Sequence, residues 1–130
     1  MSTVNHDINT DISEYGYQFL QELPLSSLLE FKEHRRLTVF YNKGLKCSNP
    51  NCNRIGTRLI VGMQKQGALH VDVYTDDLVM MTVDHIHPKS KGGSECLENK
   101  QPMCSPCNSN KGSRTIPQKI IKFLVYSINE

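Results

Sequence analysis

The sequence predicts an α+β fold: a small antiparallel sheet with flanking N- and C-terminal helices, pinned by a structural metal site. Three observations carry that prediction. Three short apolar runs, Arg58–Gln64, Leu69–Tyr74 and Leu78–Asp84, are separated by turn signals at Gln66-Gly67 and Asp76-Asp77. Helical patterns lie on either side of these runs. Two cysteine pairs, Cys47/Cys52 and Cys104/Cys107, bracket the strands along the chain.

Residues 1–12 read as a flexible polar tail. Residues 13–130 read as a single domain, with N-terminal helices over 13–43, a core over 47–114 and a C-terminal helix over 117–128. Ser13 suits the N-cap of a helix over 13–23, which Pro24 interrupts. A second helix is expected from Leu25 through Leu28 and Leu29 into the basic stretch 32–36, ending before Gly44. Tyr15, Tyr17, Phe19, Phe31, Phe40 and Tyr41 are expected in the core of these helices. Residues 47–53 are turn formers, so the first cysteine pair sits on a tight loop. The three strands make a meander in the simplest arrangement. Residues 88–99 read as a long loop, followed by a short extended piece to Cys104 and a helix from Pro106 through Lys111. Pro117 suits the first position of a last helix, with Ile120, Ile121, Leu124 and Ile128 on its apolar face.

The composition fits that plan. The 130 residues are 38% hydrophobic and 22% charged, enough for one small core. A collagenous or coiled-coil chain is excluded, and no apolar run is long enough to cross a bilayer. The start of the chain lacks a basic segment followed by an apolar one, so an intracellular, cytoplasmic protein is expected. The net charge of +2 hides an asymmetry: residues 1–30 hold five acids and no Lys or Arg, while residues 31–66 hold eight bases and one acid. A basic body of this kind suits a polyanionic partner.

Five cysteines in such a chain do not make a disulfide framework. Cys47, Cys52, Cys104 and Cys107 can instead give four thiolates to one tetrahedral Zn2+. A closed four-sulfur shell leaves no open position, so the zinc would be structural. Cys96 has no partner in either pair.

The stretch Asp84-His85-Ile86-His87-Pro88-Lys89-Ser90-Lys91-Gly92-Gly93 sets a carboxylate beside an imidazole at the end of an apolar run. Neighbours on a strand face opposite ways, so both can serve one site only if the strand ends there; Pro88 and the glycine pair supply that end. Asn99 follows, then Asn108 directly after the second cysteine pair, then Lys111-Gly112. Together with the cysteines, these residues resemble the HNH endonuclease family in order and spacing over about residues 47–114. Two departures stand out: Asn108 occupies the last motif position where the family name has His, and the link from Cys52 to Asp84 is long.

The resemblance implies a ββα-metal core and a nuclease that hydrolyses phosphodiester bonds. It implies His85 as general base for the attacking water, Asp84 and Asn108 as ligands of one catalytic divalent ion, Mg2+ or Mn2+, and Asn99 as the residue that fixes the loop. Lys89, Lys91, Lys111 and Arg114 lie near these residues and are candidates for contacts to flanking phosphates. The implied partner is DNA, with RNA, oligomeric state and target left open. Size and lack of further domains resemble stand-alone phage or mobile-element nucleases. A different class of protein would keep this frame without cutting: a zinc-stabilised nucleic-acid-binding module, or a subunit of a larger nucleoprotein machine.

Overall fold

The computed structural model describes residues 7–112. The expected C-terminal helix over 117–128 lies outside the described residues, as does Arg114.

Strands β2 (Arg58–Met63) and β3 (Leu69–Tyr74) form where the apolar runs predict them. They pair antiparallel, with Leu59 opposite Val73 and Ile60 opposite Asp72. Residues 18–23 are strand β1 (Gln18–Leu23) instead of the predicted helix. They fill the other edge of β2, from Gln18 opposite Met63 to Leu23 opposite Leu59. An open edge on β2 would leave backbone N–H and C=O groups to find other partners, and closing that ladder outweighs a weak local helical preference. The helix lies earlier in the chain: α1 (Ile8–Ser13) is capped by the Asp7 carboxylate, which accepts from the Asn9 amide at 3.0 Å. Its Ile12 is fully buried, so this part of the expected tail belongs to the core.

The second predicted helix is split. Leu25–Phe31 is a 3-10 helix, and α2 (Leu37–Lys43) is a separate α-helix. α2 stops at Gly44, whose φ of +95° is a conformation that favours glycine. The expected aromatic core is partial: Phe40 is buried, whereas Tyr41 is 45% exposed.

The third run departs from the meander. Leu78 turns the chain with a φ of 63°, and only an isolated bridge joins Tyr74 to Met80. β4 (Met81–His85) then pairs antiparallel with β5 (Lys100–Cys104), Met81 opposite Cys104 and His85 opposite Lys100. The result is a three-stranded sheet, β1-β2-β3, and a separate two-stranded sheet, β4-β5. α3 (Ser105–Lys111) follows β5 directly, so residues 81–111 form a strand, long loop, strand and helix.

Two cores hold this frame. Leu59 and Val73 on one face of the larger sheet pack with Leu37, Phe40, Met81, Met103 and three of the cysteines. Ile60 and Tyr74, on the opposite face, pack with Ile12, Leu78 and Met80. Each such buried side chain contributes about 1.5–3 kcal/mol. The ββα unit is therefore seated on the larger sheet through Met81 and Met103. Among the described residues, no helix is long and apolar enough to cross a membrane.

Candidate active site and metal centre

The four paired cysteines meet at one point. Their sulfurs all lie within 4.8 Å of one another, with Cys47 Sγ 3.7 Å and Cys52 Sγ 3.8 Å from Cys104 Sγ. A tetrahedron built on metal–sulfur bonds of about 2.3 Å has edges of about 3.8 Å, which the two separations to Cys104 match. Local structure sets each ligand. Cys47 and Cys52 flank a turn closed by the Cys52 amide on the Asn49 carbonyl at 2.9 Å. Cys104 ends β5, and Cys107 stands in the first turn of α3.

Each sulfur also accepts an N–H. Cys47 accepts from the Cys104 amide at 3.4 Å, Cys52 from the Arg54 amide at 3.5 Å, Cys107 from Asn49 Nδ2 at 3.3 Å, and Cys104 from Arg54 Nη1 at 3.8 Å. Such donors spread the negative charge of a thiolate cluster. Burial pushes the Cys47 thiol up to about 12. Cys52 is drawn down to about 7 against the effect of its burial, by the Arg54 amide and the neighbouring sulfurs. Four sulfurs this close cannot all ionise without a cation among them.

The second centre lies at the end of β4. Asp84 is buried and His85 is the last residue of the strand, and both border one open cleft of about 230 Å³ with Pro88, Lys89, Ser90 and Asn108. The end of the strand thus brings the two neighbours to one site. Asn108 reaches it from α3. The Thr82 hydroxyl donates to the Met103 carbonyl at 2.7 Å, so its oxygen is left to accept from Asn108 Nδ2 at 2.8 Å. That contact fixes the Asn108 amide, and among the described residues no hydrogen bond engages its Oδ1, an oxygen that could face a cation.

The intervening loop is tied by Asn99. Its Oδ1 accepts from the His87 amide at 2.8 Å, and its Nδ2 donates to the carbonyls of His87 at 3.0 Å and Ser94 at 2.7 Å. Gly93 lies so close beneath His87 that a Cβ there would stand 1.8 Å from the His87 carbonyl oxygen. Replacing Asn99 with alanine removes three hydrogen bonds, and we expect a loss of about 1–3 kcal/mol. Urea denaturation will read the loss, and hydrogen exchange will show faster exchange of the Ile86 and His87 amides. Unchanged exchange there would mean that Asn99 does not hold the loop.

Residues 69–114 match the family model described as HNH endonuclease. No curated protein and no solved structure matches the chain. The matched HNH segment runs from β3 through α3 and contains Asp84, His85, Asn99 and Asn108. Cys47 and Cys52 lie before it and join it through the sulfur cage.

Of the lysines expected to face phosphate, Lys111 is placed otherwise. It is only 4% exposed, and its ammonium lies 3.0 Å from Asp84 Oδ2 and donates to the His85 carbonyl at 3.0 Å. A buried carboxylate needs a countercharge, and Lys111 supplies it within the HNH segment. Lys89 and Lys91 are exposed on the loop, and Lys89 pairs with Glu95 at 3.0 Å. Sequence reasoning missed Gln101, Thr82 and Glu95 in the HNH segment. Gln101 donates to Asp84 Oδ2 at 2.9 Å, and Glu95 Oε1 stands 2.8 Å from His85 Nε2. It also missed Asn49 and Arg54 at the sulfur cage, although their positions beside the cysteines were a usable signal. His87 serves the loop: its Nε2 meets the Lys91 carbonyl at 3.0 Å.

Proposed function

We propose that the protein is a metal-dependent endonuclease that hydrolyses phosphodiester bonds in DNA. The observation that carries this is the meeting of His85, buried Asp84 and the Asn108 amide at one cleft within the HNH segment. His85 takes the proton from the attacking water; imidazole suits this because its ordinary pKa lies near neutrality. Asp84 and the Asn108 carbonyl would hold one divalent ion, and two oxygen donors favour Mg2+ or Mn2+. When bound, such an ion supplies positive charge against that building on the phosphate and the leaving 3′ oxygen.

Asn99 keeps the loop that follows His85 in place. Lys89 and Lys91 reach flanking phosphates, which makes binding fall with salt. The products carry a 5′-phosphate and a 3′-hydroxyl. Cys47, Cys52, Cys104 and Cys107 hold a structural Zn2+ that clamps α3, and so Asn108, to the rest of the chain. The cleft is smaller than the roughly 300–1,000 Å³ of a small-molecule pocket, which suits a hydrated ion and one phosphate group at an open surface. A cytoplasmic setting goes with this reading, since it keeps the thiols reduced.

Nicking of supercoiled plasmid DNA with Mg2+ or Mn2+ tests the proposal. Wild type will nick, and His85→Ala will bind DNA equally but nick at least about 10²-fold more slowly. A wild type that binds DNA and cuts under no divalent ion would make the chain a zinc-stabilised nucleic-acid-binding module.

A further inference from the structure

We propose that Glu95 is a positioning residue for His85: its carboxylate holds the imidazole with hydrogen on Nε2, so that Nδ1 is the nitrogen that accepts the proton of water. The catalytic consequence rests on the nuclease function proposed above; the tautomer rests on geometry alone. Glu95 Oε1 is 2.8 Å from His85 Nε2. An ionised carboxylate only accepts, so the hydrogen in this contact belongs to the imidazole. A neutral imidazole has one donor and one acceptor nitrogen. With Nε2 donating, Nδ1 keeps its lone pair, and among the described residues no hydrogen bond engages Nδ1.

The carboxylate is itself held from two sides. Lys89 Nζ is 3.0 Å from the same Oε1, and Lys100 Nζ is 3.6 Å from Oε2. Lys100 is buried, and it is the residue directly opposite His85 in the β4–β5 ladder. Residues paired this way point to the same side of a sheet. Glu95 therefore closes a bridge across a cross-strand pair, anchored to β5 rather than to its own loop alone. The Lys89 contact, with the His85 bond after it, draws the Glu95 carboxyl down to about 2, so it stays ionised at any working pH.

Two measurements test this on the full chain. Nitrogen–proton correlation spectra of the imidazoles, recorded without divalent ion at mildly alkaline pH, will show the Nε2–H tautomer for His85. That preference will be lost in Glu95→Ala and kept in Glu95→Asp. In plasmid nicking, Glu95→Ala will lower kcat roughly 10–100-fold with KM unchanged, since a reacting group misplaced by about 1 Å costs of that order. Glu95→Asp will recover most of the loss. A role confined to competing with phosphate for Lys89 would instead lower KM and leave kcat alone. Faster nicking by Glu95→Ala would show the contact to be a block and overturn the proposal. So would an Nδ1–H spectrum in a wild type that nicks. A wild type with the Nε2–H spectrum that never nicks would overturn the nuclease function, and with it the catalytic use of Nδ1, while leaving the Glu95 geometry in place.

Discussion

Replacing Cys104 with serine will cost the protein its bound zinc and its cooperative fold. Cys104 is fully buried, and its sulfur lies within 3.8 Å of both Cys47 and Cys52. It joins the last residue of β5 to the turn after α2, so its loss cuts a link that the small hydrophobic core cannot replace. A structural zinc contributes about 10–16 kcal/mol of apparent binding energy to folding. Whole domains are stable by only about 5–15 kcal/mol. Losing most of the first therefore consumes the second. The core around Leu37, Phe40, Leu59 and Met103 includes the cysteines themselves, so the damage will not stay local. Metal analysis of the purified protein and its thermal unfolding curve check this together. Wild type will carry one equivalent of zinc, and strong chelators will abolish its unfolding transition. A folded wild type with less than about half an equivalent would contradict the four-sulfur site.

The sulfur cage was readable because its chemistry is local: each pair spans one turn, and the ligand type names the metal class. The same holds for Asp84, His85, Asn99 and Asn108, which come within one short stretch and in one order. β1 was not readable. Residues 18–23 carry no strong strand pattern, and what makes them a strand is the free edge of β2, forty residues away in sequence. The apolar run Leu78–Asp84 marks an extended segment but not its departure from the sheet, because the partner that draws it away, β5, is decided by register and not by composition. Glu95 gave no signal at all. It is one acid in a polar loop, and only its landing on the His85–Lys100 pair distinguishes it. Lys111 did leave a trace. It lies three residues after Asn108 on α3, hence on the same helix face, and a lysine there points at the site instead of at solvent.

That placement leads to the second large effect: Lys111→Met will destabilise the metal-free protein by about 3–5 kcal/mol, and divalent ions will restore part of the loss. Asp84 and Lys111 are 5% and 4% exposed, and the ammonium lies 3.1 Å from Oδ1 and 3.0 Å from Oδ2. Gln101 adds one neutral hydrogen bond to the carboxylate but no charge. Methionine keeps the length of the side chain and removes the cation, so the variant leaves a buried carboxylate without a countercharge. That is the costly half of a buried pair, far more than the pair itself contributes relative to an apolar substitute. Asp84→Asn in the same chain removes the stranded charge, so the double variant will recover most of the stability, and the coupling between the two positions will be large. Mn2+ or Mg2+ at Asp84 would be a replacement countercharge, so either ion will stabilise Lys111→Met more than wild type, where the ammonium competes for the same oxygens. Urea denaturation of wild type, Lys111→Met, Asp84→Asn and the double variant, with and without divalent ion, separates these terms. A Lys111→Met variant as stable as wild type in the absence of metal would mean that Asp84 does not depend on this ammonium. If divalent ions stabilised wild type and variant equally, Lys111 and the ion would not share one site, and Lys111 would have no part in setting how tightly the cleft takes its metal.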